Sequence, residues 1–221
     1  MIRKIASVLA IVLPTVASAD ERGFELSVYT GIQTSPHSII TGTDPDAGGA
    51  VDFTAGWDGR SFEMPPYYGV RATWWRNSAW GFGAEFTHAK VYADAQTLTD
   101  NGYDRLEFTD GLNFLTANAT YRWSDGWLDG KLTPYVGGGV GIALPHADIQ
   151  AGGGDHTFGY QLTGPAARVY GGVVYDLKGQ WDLMVEYQFT YSSHDVELEN
   201  GGNLSTDLIT NALNFGVTRR F

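Results

Sequence analysis

The fold is decided by a stretch near the start of the chain, Phe24–Gln33, which reads Phe-Glu-Leu-Ser-Val-Tyr-Thr-Gly-Ile-Gln. Every second residue from Phe24 to Ile32 belongs to a mostly apolar set, and the residues between them are polar, small or amphipathic. Successive side chains of a β-strand point to opposite faces. This period of two therefore predicts a strand with one apolar and one polar face.

The same alternation returns seven more times along the chain. It occupies Tyr67–Trp74, Trp80–Thr87, Leu115–Trp123, Val136–Leu144, Ala167–Tyr175, Trp181–Tyr191 and Ile209–Phe221. Leu112 and Phe114 are out of phase with the fourth stretch, so a β-bulge is predicted near Phe114–Leu115. Eight strands joined by alternately short and long connections predict an all-β chain, an eight-stranded antiparallel up-and-down barrel.

The polar set of residues decides on which side of the barrel wall the lipid lies. A water-soluble, lipocalin-like barrel would show the same alternation, but its exterior would be rich in charge. Here the second set consists of Gly, Ser, Thr, Tyr, Asn and a few charges, as in the interior of a small membrane barrel. We therefore expect lipid outside and paired charges inside, because buried charges need partners. The predicted interior charges are Glu25, Arg71, Glu85, Arg122, Arg168, Asp182, Glu186 and Arg220.

The first nineteen residues have the pattern of a secretory signal peptide. A basic start, Arg3-Lys4, precedes an apolar run from Ile5 to Leu13, and Ala17-Ser18-Ala19 forms a small-x-small cleavage site. A membrane-spanning helix would need about 20 apolar residues. The sequence predicts a signal peptide over 1–19, a barrel domain over 20–221 and a location in the outer membrane of a Gram-negative bacterium.

The connections are predicted to form two different rims. Short turns at 76–79, 124–131 and 176–180 face the periplasm, and long loops at about 35–66, 92–106, 145–160 and 192–207 face outward. Trp57 lies in a long loop. The other six tryptophans gather at the short-turn rim, where indole rings favour the bilayer interface: Trp74, Trp75, Trp80, Trp123, Trp127 and Trp181.

Charge and composition limit the function. The chain has 14 Lys and Arg against 25 Asp and Glu, a formal charge of -11, so a nucleic-acid partner is not expected. It has no cysteine, which excludes thiol nucleophiles and cysteine-ligated metals. The acidic loops predict a solvated face, or one that binds divalent cations, but Asp44–Asp58 lacks the order of a calcium loop.

All the histidines fall in the long loops or at the strand ends beside them: His37, His88, His146, His156 and His194. Because loops are rich in polar residues, this one-sided placement can arise by chance. The functional alternative is a metal or acid–base site at the outer rim, since imidazole binds divalent metals and transfers protons near neutral pH. His88 and His146 end strands, with Glu63, Glu107 and Asp148 near those ends, but no His-x-His or His-Glu-x-x-His spacing is present.

A serine-hydrolase site is a further alternative. It would use Ser192 or Ser193 with His194 and a carboxylate, Glu197 or Glu199. Ser192 and His194 are two residues apart and would share a strand face. Outer-membrane lipid A deacylases use serine and histidine on such a barrel, but the His-x-Ser order associated with them is absent.

Several segments resemble known outer-membrane barrels. The aromatic end at Phe221 resembles the C-terminal strand that the barrel assembly machinery recognises, and glycine-rich Thr133–Gly141 resembles a strand of the OmpA-like small barrels. Longer segments are similar to the lipid A oxidase group of α-proteobacterial barrels: Ser61–Trp75, Glu85–Tyr92, Thr157–Pro165 and Asn211–Gly216. This resemblance implies an oxygen-dependent oxidation of the proximal glucosamine of lipid A to an aminogluconate unit, with a divalent metal as an expected cofactor.

The leading hypothesis is therefore a lipid A oxidase that works at the outer-leaflet rim. It assigns His88 and His146 as metal ligands or proton-transfer groups and Glu63 as a third ligand or base. Lys90 and Arg105 are assigned as substrate-binding groups that contact phosphate. Lipopolysaccharide and the barrel assembly machinery, through Phe221, are the expected partners of a monomer. The rival hypotheses are a non-enzymatic structural or adhesive barrel and a small pore.

Overall fold

The computed structural model describes residues 23–123 and 126–221. The predicted signal peptide, 1–19, lies outside these residues. Within the described parts, no helix is long and apolar enough to cross a membrane.

The described residues form thirteen strands, one short α-helix and, between β2 and β3, a single 3₁₀ turn over Pro45–Ala47. In chain order, the strands and the α-helix are β1 (Phe24–Thr34), β2 (Ser38–Asp44), β3 (Gly49–Ala55), β4 (Trp57–Asp58), β5 (Tyr68–Trp75), β6 (Trp80–His88), β7 (Val91–Ala93), α1 (Ala95–Asn101), β8 (Tyr103–Arg122), β9 (Leu132–Ala151), β10 (Thr157–Tyr160), β11 (Gly164–Asp176), β12 (Trp181–Glu197) and β13 (Asn203–Arg220).

Eight of these strands close into a barrel. Their order around the wall is β1, β5, β6, β8, β9, β11, β12 and β13, and every neighbouring pair is antiparallel. The last strand returns to the first, with a register that runs from Glu25 opposite Arg220 to Thr34 opposite Asn211. The eight strands correspond to the eight predicted stretches, three of which extend one residue beyond a strand end, so the predicted fold class is confirmed.

The lower wall of the barrel is apolar outside and polar inside, as the alternation predicts. On β9 the exposed outward residues are Val136, Val140 and Ile142, and the residues between them are glycines. Glycine leaves room for large lumen-facing side chains from the neighbouring strands. A Cβ on Gly137, for example, would lie 2.4 Å from the ring of Tyr170. An apolar exterior on a closed barrel belongs in lipid.

A buried network of charges fills the lumen. The Arg71 guanidinium donates to Glu85 Oε2 at 2.6 Å and, through two nitrogens, to Glu186 at 2.6 and 2.9 Å. Arg168 and Tyr29 also donate to Glu85. The remaining predicted charges pair nearer the periplasmic end: Arg122 with Glu25, and Arg220 with Asp182 and Asp176. The prediction that the interior charges pair is confirmed.

The polarity of the wall inverts above the lipid-facing band. Higher on β9, Ala147 and Ile149 are buried inside the barrel, and the outward residue is Asp148. On β8, Leu112 and Phe114 face the same interior and are 0% and 1% exposed. The bulge predicted at Phe114–Leu115 is therefore wrong, because these apolar residues belong to an interior core above the membrane. The register of β8 shifts between Phe108 and Leu112 instead.

Two further predictions need correction. Much of the predicted long-loop sequence continues the barrel strands, since β9 reaches Ala151 and β12 reaches Glu197. Trp75 is buried in the lumen with its ring 3.8 Å from Arg122 Cζ, whereas the other five tryptophans of the predicted rim are exposed. Adjacent residues of one strand face opposite sides, so Trp74 and Trp75 cannot both face lipid.

The extracellular end is covered by its own connections. The hairpin β2–β3 pairs with the upper part of β13. Three loop tips meet at Asp46, whose Oδ2 accepts from the backbone N–H of Asp155 at 3.0 Å and from Asn200 Nδ2 at 2.8 Å.

Candidate functional site

Both predicted histidines project from the outer side of the barrel wall. His88 continues the outward row of Phe82 and Phe86 on β6, and His146 continues the outward row of Val140 and Ile142 on β9. Each is nevertheless buried, at 4% and 5% exposure. The side chains that bury them must therefore lie outside the barrel, on the side that faces the membrane and its headgroups.

His88 is held in one orientation by Tyr68 and Asn113. Its ring stacks on Tyr68 with centroids 5.2 Å apart, and Nδ1 lies 2.9 Å from Asn113 Oδ1. The Asn113 amide nitrogen donates to the Leu144 carbonyl, so its oxygen is the atom that faces His88. An amide oxygen can only accept, so Nδ1 carries the proton and Nε2 of the neutral ring bears a lone pair. The backbone of Pro65 lies beside the ring, but the buried Nε2 makes no hydrogen bond.

His146 lies two strands away from His88, between aromatic edges. The rings of Phe158 and Tyr160 on β10 meet it edge-on, with centroids at 4.4 and 4.8 Å. Its buried Nδ1 has no hydrogen-bond partner and lies 4.0 Å from Asp110 Oδ2. The β8 segment from Asp110 to Asn113 therefore connects the two histidines, which do not contact each other through any hydrogen bond.

Lys90 and Glu63 are brought together, but through the backbone of Glu63. Lys90 is fully buried, and its ammonium donates to the Glu63 carbonyl at 2.8 Å. The Glu63 carboxylate points away, is 60% exposed and lies 3.7 Å from Arg60. The Arg60 guanidinium also stands over the ring of Tyr92, at 4.2 Å.

A row of side chains crosses the outer face above the histidines. The register places Asp58 opposite Tyr92, Tyr92 opposite Glu107, Glu107 opposite Asp148, and Asp148 opposite Phe158. We call these five residues the outer-wall row. It spans β4, β7, β8, β9 and β10 and carries the two carboxyl groups that the sequence placed near the strand ends.

Asp148 is held in place through both of its carboxylate oxygens. Its Oδ1 lies 2.7 Å from His156 Nε2 and its Oδ2 accepts from Arg105 at 3.0 Å. Burial, with the adjacent Asp148 charge, raises the pKa of Glu107 to about 7. The row thus contains a carboxyl group that exchanges its proton near neutrality, an arrangement suited to acid–base chemistry.

The structure does not assemble the predicted metal ligands. In residues 23–123 and 126–221, no group of three or more His, Asp or Glu side chains is placed to hold one metal ion. The Glu63 carboxylate lies 3.7 Å from Arg60 instead. A divalent metal stays a prediction.

The sequence missed Asn113, Asp110, Tyr160 and Tyr68 as neighbours of the histidines. An asparagine within the apolar run Leu112–Leu115 was a usable signal, because a polar residue in such a run needs a partner. The contacts of Asp110 depend on the irregular part of β8, which local sequence patterns did not reveal.

The alternative serine site is formed in part. His194 Nε2 lies 2.7 Å from Ser192 Oγ, as their shared face predicts, and Nδ1 lies 2.8 Å from Thr163 Oγ1. Neither Glu197 nor Glu199 completes a triad, because the second ring nitrogen of His194 contacts Thr163 instead of a carboxylate. Both Ser192 and His194 are sealed inside the upper core, at 0% and 1% exposure, so a lipid substrate has no access to them.

The chain matches no protein-family model and no curated protein in sequence. Its structure is similar to that of Neisserial surface protein A, with a TM-score of 0.51 and 16% identity over 93% of this chain and all of that one. The outer membrane protein OprG of Pseudomonas aeruginosa aligns with a TM-score of 0.48 and 14% identity over 91% of this chain and 96% of that one. The chain has the fold of a small outer-membrane β-barrel. With its apolar exterior, this fold agrees with the predicted location in the outer membrane.

Proposed function

We propose that the protein binds lipid A on the outer side of its wall and oxidises the proximal glucosamine. The observation that carries the proposal is the placement of His88 and His146. Both face the lipid side rather than the lumen, and each keeps one buried ring nitrogen without a partner. A lipid headgroup lying beside the barrel would meet this side of the wall and not the closed interior.

The charges around the histidines suit an anionic glycolipid. Arg60, Lys90 and Arg105 supply cations around the outer-wall row, and phosphate groups are bound by such side chains. Tyr92, Phe158 and Tyr160 supply aromatic surface beside them. The lipid-facing residues directly below, such as Phe86 and Leu115, would contact the acyl chains of the same molecule.

The chemistry requires a free hydroxyl at C1 of the proximal sugar. The hydroxyl loses its proton, C1 loses a hydrogen with two electrons, and dioxygen accepts them to give hydrogen peroxide and the lactone. Water then opens the lactone to the aminogluconate, for a net gain of one oxygen atom. His88 Nε2 is the proposed acceptor of the hydroxyl proton, because its lone pair is directed by the Asn113 contact at Nδ1.

Mass spectrometry of lipid A tests this function. The refolded protein is incubated in air with lipid A that lacks the 1-phosphate, with and without divalent metal, beside an oxygen-free control. We expect a gain of one oxygen on the proximal sugar, with one peroxide released per product. H88A and H146A should lose most of this turnover, and H37A, which changes an exposed loop histidine, should retain it. An unchanged spectrum from folded, metal-supplied protein would overturn the proposal in favour of a structural or adhesive barrel.

A further inference from the structure

The connection between β4 and β5 carries the two most exposed large apolar side chains of the described residues. Phe62 is 72% exposed and Met64 is 82% exposed. They lie in Ser61–Pro66, which we call the flap. Large apolar side chains exposed side by side mark a contact surface more often than a solvated one.

The flap is anchored at both ends of its exposed part. The Ser61 hydroxyl accepts from the backbone N–H of Gln33 at 2.8 Å, and the Tyr67 N–H donates to the Ser61 carbonyl at 2.8 Å. Between these anchors, Lys90 holds the Glu63 carbonyl. Phe62 and Met64 are therefore presented by fixed backbone.

The flap lies on the outer side of the wall. Lys90 lies between β6 and β7, and its ammonium stands 5.3 Å from the ring centroid of Tyr92, a member of the outer-wall row. The Lys90 side chain therefore lies on the outer side of the wall. Because Lys90 contacts the flap, the flap covers the outer surface above β5 and β6. Tyr68, the first outward residue of β5, connects the flap directly to the lipid-facing band.

The flap also lies at the height of the membrane surface. β5 has 8 residues and β6 has 9, whereas β8 and β9 have 20 each. At ~3.4 Å per residue and a tilt of ~40°, β6 rises roughly 21 Å, less than the apolar band of ~25 Å. The short strands thus end within the membrane boundary, and the flap begins where they end.

We infer that the flap is seated in the outer leaflet, with Phe62 and Met64 among its lipids, and that it covers His88 and Lys90 from the membrane side. The occupant is lipid because the flap continues an established lipid-facing surface. A headgroup that reaches His88 or Lys90 must pass the flap, so access to these residues is controlled by the membrane. The lipid contact itself does not depend on the proposed oxidation.

Spin labels test this inference. Because the chain has no cysteine, a label reacts only with the single cysteine that each variant introduces. F62C and M64C are labelled with a nitroxide in bilayers of phospholipid, with and without lipopolysaccharide. Collision rates with dioxygen, which concentrates in lipid, and with a nickel chelate, which stays in water, are then compared. V140C, on the lipid-facing band at 68% exposure, and E199C, in an exposed extracellular turn, are the two reference positions.

We expect the oxygen-to-nickel ratio at positions 62 and 64 to lie closer to that at Val140 than to that at Glu199. A ratio equal to that at Glu199 would overturn the inference. No turnover enters this measurement, so a lipid-seated flap without oxidase activity, or the reverse, would be recognised as such.

Discussion

Glu107 carries a carboxyl group that the fold keeps protonated close to neutral pH. Burial is the main cause of its raised pKa, and the neighbouring Asp148, which lies opposite it in the sheet and contacts Arg105 and His156, adds to the effect. Arg105 and Arg60 act in the opposite direction, and burial outweighs them. The net charge of the outer-wall row therefore changes near pH 7, where Glu107 loses its proton.

The proton on Glu107 links stability to pH. The folded protein keeps a proton up to about pH 7 that the unfolded chain releases near the ordinary value of 4.5. Stability contributed by this group is present at low pH and is lost as the pH rises through that interval. We expect the urea midpoint in detergent micelles to fall between about pH 5 and about pH 8, and E107Q to reduce that fall. E199Q, at an exposed position, is the control, and an identical fall in all three proteins would contradict the assignment.

Among the elements, β8 shows most clearly what the sequence could and could not predict. Its lower half follows the alternation, and the eight strands were predicted because an apolar exterior and a polar interior repeat in each. Leu112 and Phe114 led to the wrong prediction of a bulge, because a period of two does not show which face of the wall is shielded from water. Above the membrane, the apolar residues pack inside the barrel. The alternation also gave the strand ends, and so it placed His88 and His146 at the upper ends of their strands. The residues that surround each histidine could not be predicted in this way, because they come from neighbouring strands.

The irregular part of β8 positions His88. Gly111 has φ +112, which disfavours other residues, and an added Cβ would lie 2.3 Å from Asn113 Oδ1 and 2.5 Å from His88 Nδ1. We expect G111A to destabilise the protein by about 1–3 kcal/mol, measured by urea unfolding, and to disturb the His88–Asn113 contact. In G159A an added Cβ meets nothing within 4 Å, so this variant should unfold like the parent. Equal midpoints for G111A and the parent would show that the turn tolerates a side chain.

For the molecule as a whole, the lumen network acts as the core of the membrane-spanning part. Glu85 alone accepts from Arg71, Arg168, Asn118 and Gln188. Removing it leaves two buried guanidinium groups with too few anions. We expect E85A to lower the free energy of unfolding by about 3–5 kcal/mol, because an uncompensated buried charge is costly.

The measurement for E85A is urea unfolding in micelles, followed by tryptophan fluorescence. E85Q keeps the shape of the side chain and should lose less stability than E85A. A loss within the error of the exposed control E199A would mean that water already screens the lumen charges.

The unequal strand lengths make the two sides of the barrel different at the membrane surface. On one side, β8 and β9 run as unbroken strands past the membrane. Beside them, β5 and β6 end near its surface, and above that level the wall is continued by the short strands β7 and β4, with the flap following β4 in the chain. Neighbours in a crowded membrane would therefore not be equivalent. A protein packed against the side of β8 and β9 would leave the flap in contact with lipid, and one packed against the side of β5 and β6 would cover it. The orientation of the barrel about the membrane normal therefore matters in a way that it would not for a symmetric cylinder.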